Sequence, residues 1–154
     1  MAKTVILLLT RLFPGYHHKK GQETHFRDNL GKGKIHSIRA NYAQWKHNLD
    51  KVIDKGYTCS LREWTGNPYT SPQREFRKLD GTSIGYQRIT MSYWPQNGSL
   101  EVLVDGVRVS PELVARNEGL SLADFKEWFF GELRNGEKQI FDGIVIHFTD
   151  YRYL

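Results

Sequence analysis

The side chains best equipped for chemistry cluster early: His17, His18, Glu23 and His25 lie within nine residues, and His36 follows. Imidazoles with a carboxylate are familiar transition-metal ligands, so a metal site is the first chemistry to weigh. The spacing argues against one. The stretch lacks a recognised pattern, such as two histidines four apart around a glutamate on a helix. It also carries Lys19, Lys20 and Arg27, and so reads as a basic surface loop that contacts phosphate, with no metal or other cofactor expected.

A second group is aromatic. Trp64 and Tyr69 flank Gly66 and Pro68 in a stretch that reads as a loop, where a ring is hard to bury and can stack on a base. Arg62, Arg74 and Arg77 supply charge nearby; the competing reading makes Trp64 a lid over one end of the sheet. Trp45 and Trp128 fall on helical apolar stripes and read as core. The single cysteine, Cys59, permits neither an intramolecular disulfide nor a cysteine zinc cage, and reads as a small buried strand residue.

These groups must be positioned by one domain, since 154 residues suit a single core. Residues 3 to 9 read as a buried strand too short for a secretory segment, and no apolar run spans a membrane, so a soluble, cytoplasmic protein is expected. Thr24 to Leu30 suggests a short helix closed by Gly31. Lys34 to Arg39 looks extended, and Asn41 to Lys55 reads as an amphipathic helix on Tyr42, Trp45, Leu49, Val52 and Ile53, capped by Asn41 and Gly56. Strands are expected at Tyr57 to Glu63, Glu75 to Leu79 and Ile84 to Tyr93. Asp105-Gly106 marks a hairpin between Leu100–Val104 and Val107–Val109. Ser110-Pro111 and Ser121 open two helices, and Ile140 to Thr149 closes the chain as a strand with Ile144, Ile146 and Phe148 on one face. Together these make an α+β domain with a mostly antiparallel sheet and three or four helices.

Lys and Arg total 22 against 17 Asp and Glu, a net charge of +5, with 13% aromatic residues. Positive charge with flat rings suits nucleic acid.

Gly33-Lys34-Ile35-His36-Ser37-Ile38-Arg39 resembles the signature of the ASCH family in the PUA-like superfamily: glycine, lysine, two residues, a small hydroxyl residue, one residue, arginine. Ala115 to Phe125 is similar to that family's acidic residue ahead of an aromatic-bearing helix, and Gly143 to Phe148 to its closing strand. Residues 36–42 with 61–69 also resemble uncharacterised ASCH-like proteins of bacteria and phages. The resemblance implies a partly open β-barrel ringed by helices, with a cleft that receives RNA or a modified nucleoside. Against the small members of the family, the helix at about 41–55 and a loop at about 64–79 read as additions to this single domain.

Some ASCH proteins look like amidohydrolases acting on N4-acylated cytidine, and the match places Lys34 at their lysine, Ser37 at their hydroxyl, usually threonine, and Glu118 at their carboxylate. A serine hydroxyl needs a base, and a desolvated lysine serves as one. Glu118 would orient that lysine or pass a proton to the leaving amine. Arg39 reads either as a salt bridge at the barrel edge or as a clamp on phosphate or carbonyl. Strand parity imposes a condition: a regular strand puts Lys34 opposite Ser37 and Arg39, so a shared site requires a bulge or strand start near residues 35–36. Three functions follow: a module binding RNA or a modified nucleoside through Lys34, Arg39, Lys19, Lys20, Arg62, Trp64 and Tyr69; an amidohydrolase using Lys34, Ser37 and Glu118; or a protein-interaction module using the added helix or the Trp64 loop.

Overall fold

Val5 and Leu7 alternate with Thr4 and Ile6 in β1 (Thr4–Leu8), so this strand buries one face and leaves Ile6 exposed. The chain then runs β2 (His36–Ala40), α1 (Tyr42–Lys55), β3 (Thr58–Trp64), β4 (Gln73–Leu79), β5 (Gly85–Trp94), β6 (Ser99–Val104), β7 (Val107–Val109), α2 (Pro111–Glu118), α3 (Leu122–Phe130) and β8 (Gln139–His147). The computed structural model describes residues 3–131 and 137–154.

The strands form two sheets and not a closed barrel. One has the order β1-β3-β4, with β1 and β3 parallel and β3 and β4 antiparallel; the other is an antiparallel sheet in the order β2-β8-β5-β6-β7. A parallel pair needs a crossover, and α1 supplies it while packing on β1 and β3 of one sheet and β5 and β8 of the other. Its Leu49 and Val52 are buried, and Tyr42 and Trp45 pack on the same core. Most of the stripe therefore faces inward, though Ile53 is exposed.

The expected start and stop signals are in place. Asn41 accepts from the Gln44 N–H at 3.2 Å, Ser110 and Ser121 cap α2 and α3, and Asp105 and Gly106 turn with φ of 50° and 80° as the hairpin requires. Two expectations are corrected. Thr24 to Leu30 forms successive turns and not a helix, because His25 takes φ 61° and the Asn29 carbonyl accepts from both Lys32 and Lys34. Three helices are present among the described residues, within the three or four expected. The stretch 64–79, expected as a loop, is half sheet: Trp64 ends β3, Gln73–Leu79 is β4, and 65–72 is the loop. Ile144, Ile146 and Phe148 are buried as expected, and Val145 is buried as well, since β8 lies inside the sheet between β2 and β5.

Candidate functional site

The parity condition is met by a strand start. Lys34 precedes the strand, its N–H held by the Asn29 carbonyl at 2.9 Å, and β2 begins only at His36. Ser37 and Arg39 share one face of β2, and Lys34 reaches the same cavity from the turn.

The C-terminus of α2 supplies the other wall. The last carbonyls of a helix lack intrahelical partners, and here the turn leading into β2 provides them: Ile35 N–H donates to the Asn117 carbonyl at 2.9 Å and Lys34 Nζ to the Glu118 carbonyl at 2.9 Å. A lysine ammonium at this end also complements the helix dipole. The Glu118 carboxylate turns back to accept from the Ile38 N–H on the outer edge of β2 at 3.0 Å, and Lys34 Nζ lies 3.6 Å from it. Gly119, at φ 89°, permits this approach: a Cβ there would stand 3.1 Å from the Lys34 Cβ.

Both charges are buried, Lys34 to 1% exposure and Glu118 to 4%. Burial pulls the Lys34 amine down to about 8, with Glu118 opposing and Arg39 adding to the fall. Burial alone would raise the Glu118 carboxyl, but Lys34, His36 and the Ile38 N–H hold it below the ordinary range. The Lys34 ammonium also sits 4.0 Å from the centre of the Phe26 ring.

Sequence reasoning gave His36 no role here and passed over Tyr153. A carboxylate can only accept, so His36 Nδ1 donates to Glu118 Oε1 at 2.8 Å. In the neutral tautomer His36 Nε2 then accepts from the Tyr153 hydroxyl at 2.6 Å, which itself accepts from Asn117 Nδ2 at 2.9 Å. A buried line of hydrogen bonds thus runs Asn117, Tyr153, His36, Glu118, Lys34. A histidine sharing strand parity with core Ile38 was the available signal; Tyr153 had none.

Lys34, Ser37, Arg39 and Glu118 line one cavity of about 130 Å³, together with Leu9, Thr10, Phe26 and Trp128. Trp128, expected as core, is half-buried and forms part of this wall. Ser37 Oγ accepts from Arg39 Nε at 3.0 Å, and Arg39 also donates to the Leu8 carbonyl. The guanidinium is therefore fixed by β1 and β2, with no carboxylate bridge among the described residues. Leu9, Thr10 and Arg39 also line a neighbouring groove of about 520 Å³, to which Trp64 and Tyr69 contribute. Their ring centres lie 5.3 Å apart, and Tyr69 is 87% exposed.

Other expected binding residues stand apart. Lys19 Nζ pairs with Asp124 Oδ2 at 2.7 Å, pinning the basic loop to α3. Lys20 is exposed and lines neither cavity. Arg62 is tied to Ser60 Oγ on β3 and to Gln73 Oε1 on β4, again away from both linings. The loop histidines divide: His17 and His18 approach Asp124 Oδ1 on α3 to 3.8 and 3.7 Å, while His25 Nδ1 lies 3.8 Å from Glu23 and 3.3 Å from Asp28. His17 Nε2 already donates to the Asp124 carbonyl, its Nδ1 accepts from the Lys19 N–H, and His18 Nδ1 bonds Glu127. Cys59 is buried, which pushes its thiol up to about 12.

Comparison with protein families, with curated proteins and with solved structures finds no match for this chain.

Proposed function

We propose that this chain is an ASCH-type, PUA-like domain that binds RNA or a modified nucleoside, with the base or its modification entering the cavity of Lys34, Ser37, Arg39 and Glu118. The observation that supports this reading is convergence: four polar residues from two elements and a turn meet in one buried hollow. Placing charge out of water is costly, and a fold retains it where a site requires it more often than where only stability does. About 130 Å³ suits one small ring or an acyl group, below the range for a whole drug-sized ligand, so the remainder of a nucleoside would lie in the adjoining groove. Trp64 and Tyr69 offer aromatic faces there.

The test is equilibrium binding at low salt of single-stranded RNA, cytidine and N4-acetylcytidine, with Lys34→Met and Arg39→Ala beside the parent. Saturable binding lost in both variants supports the reading. Absence of binding to every ligand overturns it.

That Lys34 and Ser37 line the same cavity favours a second reading, amide hydrolysis. An amine lowered to about 8 leaves roughly a tenth of Lys34 uncharged at neutral pH, enough for a base. Ser37 Oγ would attack the acyl carbon and pass its proton to Lys34. The acyl–N4 bond would break as the amine takes that proton, and water would release the acyl group from serine. Release of cytidine from N4-acetylcytidine, abolished in Ser37→Ala, supports this reading; no turnover alongside intact binding removes it.

A further inference from the structure

Arg11 lies where the cavities meet, lining the groove that holds Trp64 and Tyr69 and also a second hollow of about 220 Å³ beside Glu63. Its Nε is buried and has no hydrogen-bond partner among the described residues. Every neighbouring arginine is engaged. Glu63, the buried carboxylate at this junction, is taken by Arg27 at 3.0 Å and Arg74 at 2.7 Å, while Arg39 donates to Ser37 and Leu8. The Glu63 hollow also holds Glu23 and Asp28, which balance its arginines. The groove holds Arg11 and Arg39 and, among the described residues, no carboxylate.

A buried N–H without an acceptor costs free energy that a ligand oxygen would recover. The guanidinium fork matches two oxygens of a phosphate better than any neutral acceptor, and an uncompensated positive groove selects an anion. Arg11 is also held in place. Its carbonyl accepts from the Thr24 N–H at 2.9 Å and from the Thr24 hydroxyl at 3.2 Å, so the backbone is fixed before any ligand arrives. On the same groove Tyr69 stands almost fully exposed beside Trp64, with a left-handed φ of 67° at the tip of a loop tied by Ser71.

We infer that Arg11 is a phosphate-binding residue and that the ligand of this site is a nucleotide phosphate ester, with the base in the Lys34 cavity and the phosphate in the groove between Arg11 and the aromatic pair. This rests on the nucleobase reading proposed above and adds the chemical class of the ligand. A mononucleotide and an RNA strand share the phosphate ester, and they differ in whether a second base reaches Trp64 and Tyr69.

The experiment is calorimetric titration of the full chain with N4-acetylcytidine, its 5′- and 3′-monophosphates, a dinucleotide containing it, and inorganic phosphate alone. Arg11→Gln and Arg11→Lys are measured in parallel. Since the Arg11 side chain has no hydrogen bond to lose among the described residues, both variants should melt with the parent. The expected result is at least about tenfold tighter binding of a phosphate ester than of the nucleoside, lost in Arg11→Gln and partly kept in Arg11→Lys. A further gain for the dinucleotide that Tyr69→Ala removes points to RNA; equal affinity for mononucleotide and dinucleotide points to the mononucleotide. Equal binding of nucleoside and nucleotides by the parent overturns the inference and leaves the nucleobase reading standing, as does a phosphate advantage that survives Arg11→Gln. Binding of inorganic phosphate that needs Arg11, with no preference among nucleosides, supports the anion site and sinks the nucleobase reading instead.

Discussion

His36 Nδ1 lies 2.8 Å from Glu118 Oε1, joining the first residue of β2 to the last residue of α2. The bond does two things at once. It closes the outer edge of the sheet, where Glu118 also takes the Ile38 N–H, and it orients the carboxylate that faces Lys34. Cavity geometry and edge protection are therefore properties of one side chain.

Removing that carboxylate should be among the most destabilising single changes in the chain. Glu118→Ala leaves the Lys34 charge buried without its counter-ion and the Ile38 N–H without an acceptor, a combination expected to cost about 3–5 kcal/mol. Lys34→Met in the same background should recover part of the loss by removing the stranded charge. Urea denaturation of the two single variants and the double variant measures the coupling. Additive losses would mean that water already compensates the pair.

Gly119→Ala tests the close approach of helix and turn. The left-handed φ of 89° alone disfavours alanine by about 1–2 kcal/mol, and the new methyl would stand 3.1 Å from the Lys34 Cβ. Gly56→Ala is the control, because Gly56 has φ 74° with open space around it. Thermal melts should place Gly119→Ala clearly below Gly56→Ala. Equal melting temperatures would show that only the backbone angle matters.

Helices, caps and the hairpin were legible in the sequence because each depends on a few neighbours: Asn41 and Gly56, Ser110-Pro111, Asp105-Gly106. The meeting of Lys34, Ser37 and Glu118 was reached through a resemblance, and parity showed what it required. What stayed hidden depends on distant partners. Nothing near Tyr153 announces that its hydroxyl meets His36, and Lys19 reads as free charge until α3 brings Asp124 to it. The short helix expected at Thr24 to Leu30 failed for a related reason: Asn29 spends its carbonyl on the turn that delivers Lys34.

Acid should weaken the fold through His147. Burial, with His36 and Arg152 nearby, lowers this imidazole to about 3, whereas the unfolded chain protonates it near 6.5. Between those values the unfolded state binds the extra proton, so stability falls as pH drops from 6.5 toward 3. The Glu118 carboxyl adds to this below 4.5: its native value is depressed, so its contribution is present above 4.5 and fades as pH falls through the native value. His147→Gln should flatten the upper part of this window. Denaturation midpoints at pH 7, 5.5 and 4.5 check it, and parallel curves for parent and variant would remove His147 as the cause.

A pH titration of Lys34 separates binding from hydrolysis. Burial sets its amine at about 8, so the ammonium form dominates below that value and the free amine above it. If the ammonium holds a ligand carbonyl or phosphate, affinity is highest below pH 8 and declines as pH rises through it. If the free amine serves Ser37 as a base, kcat/KM climbs through the same region and levels off above it. Lys34→Arg retains a charge that does not titrate in this range, so it should hold affinity at high pH while giving no turnover. Binding and turnover measured from pH 6 to 9.5 would show opposite slopes if both activities are present. Flat profiles for each would mean that Lys34 touches neither ligand nor nucleophile.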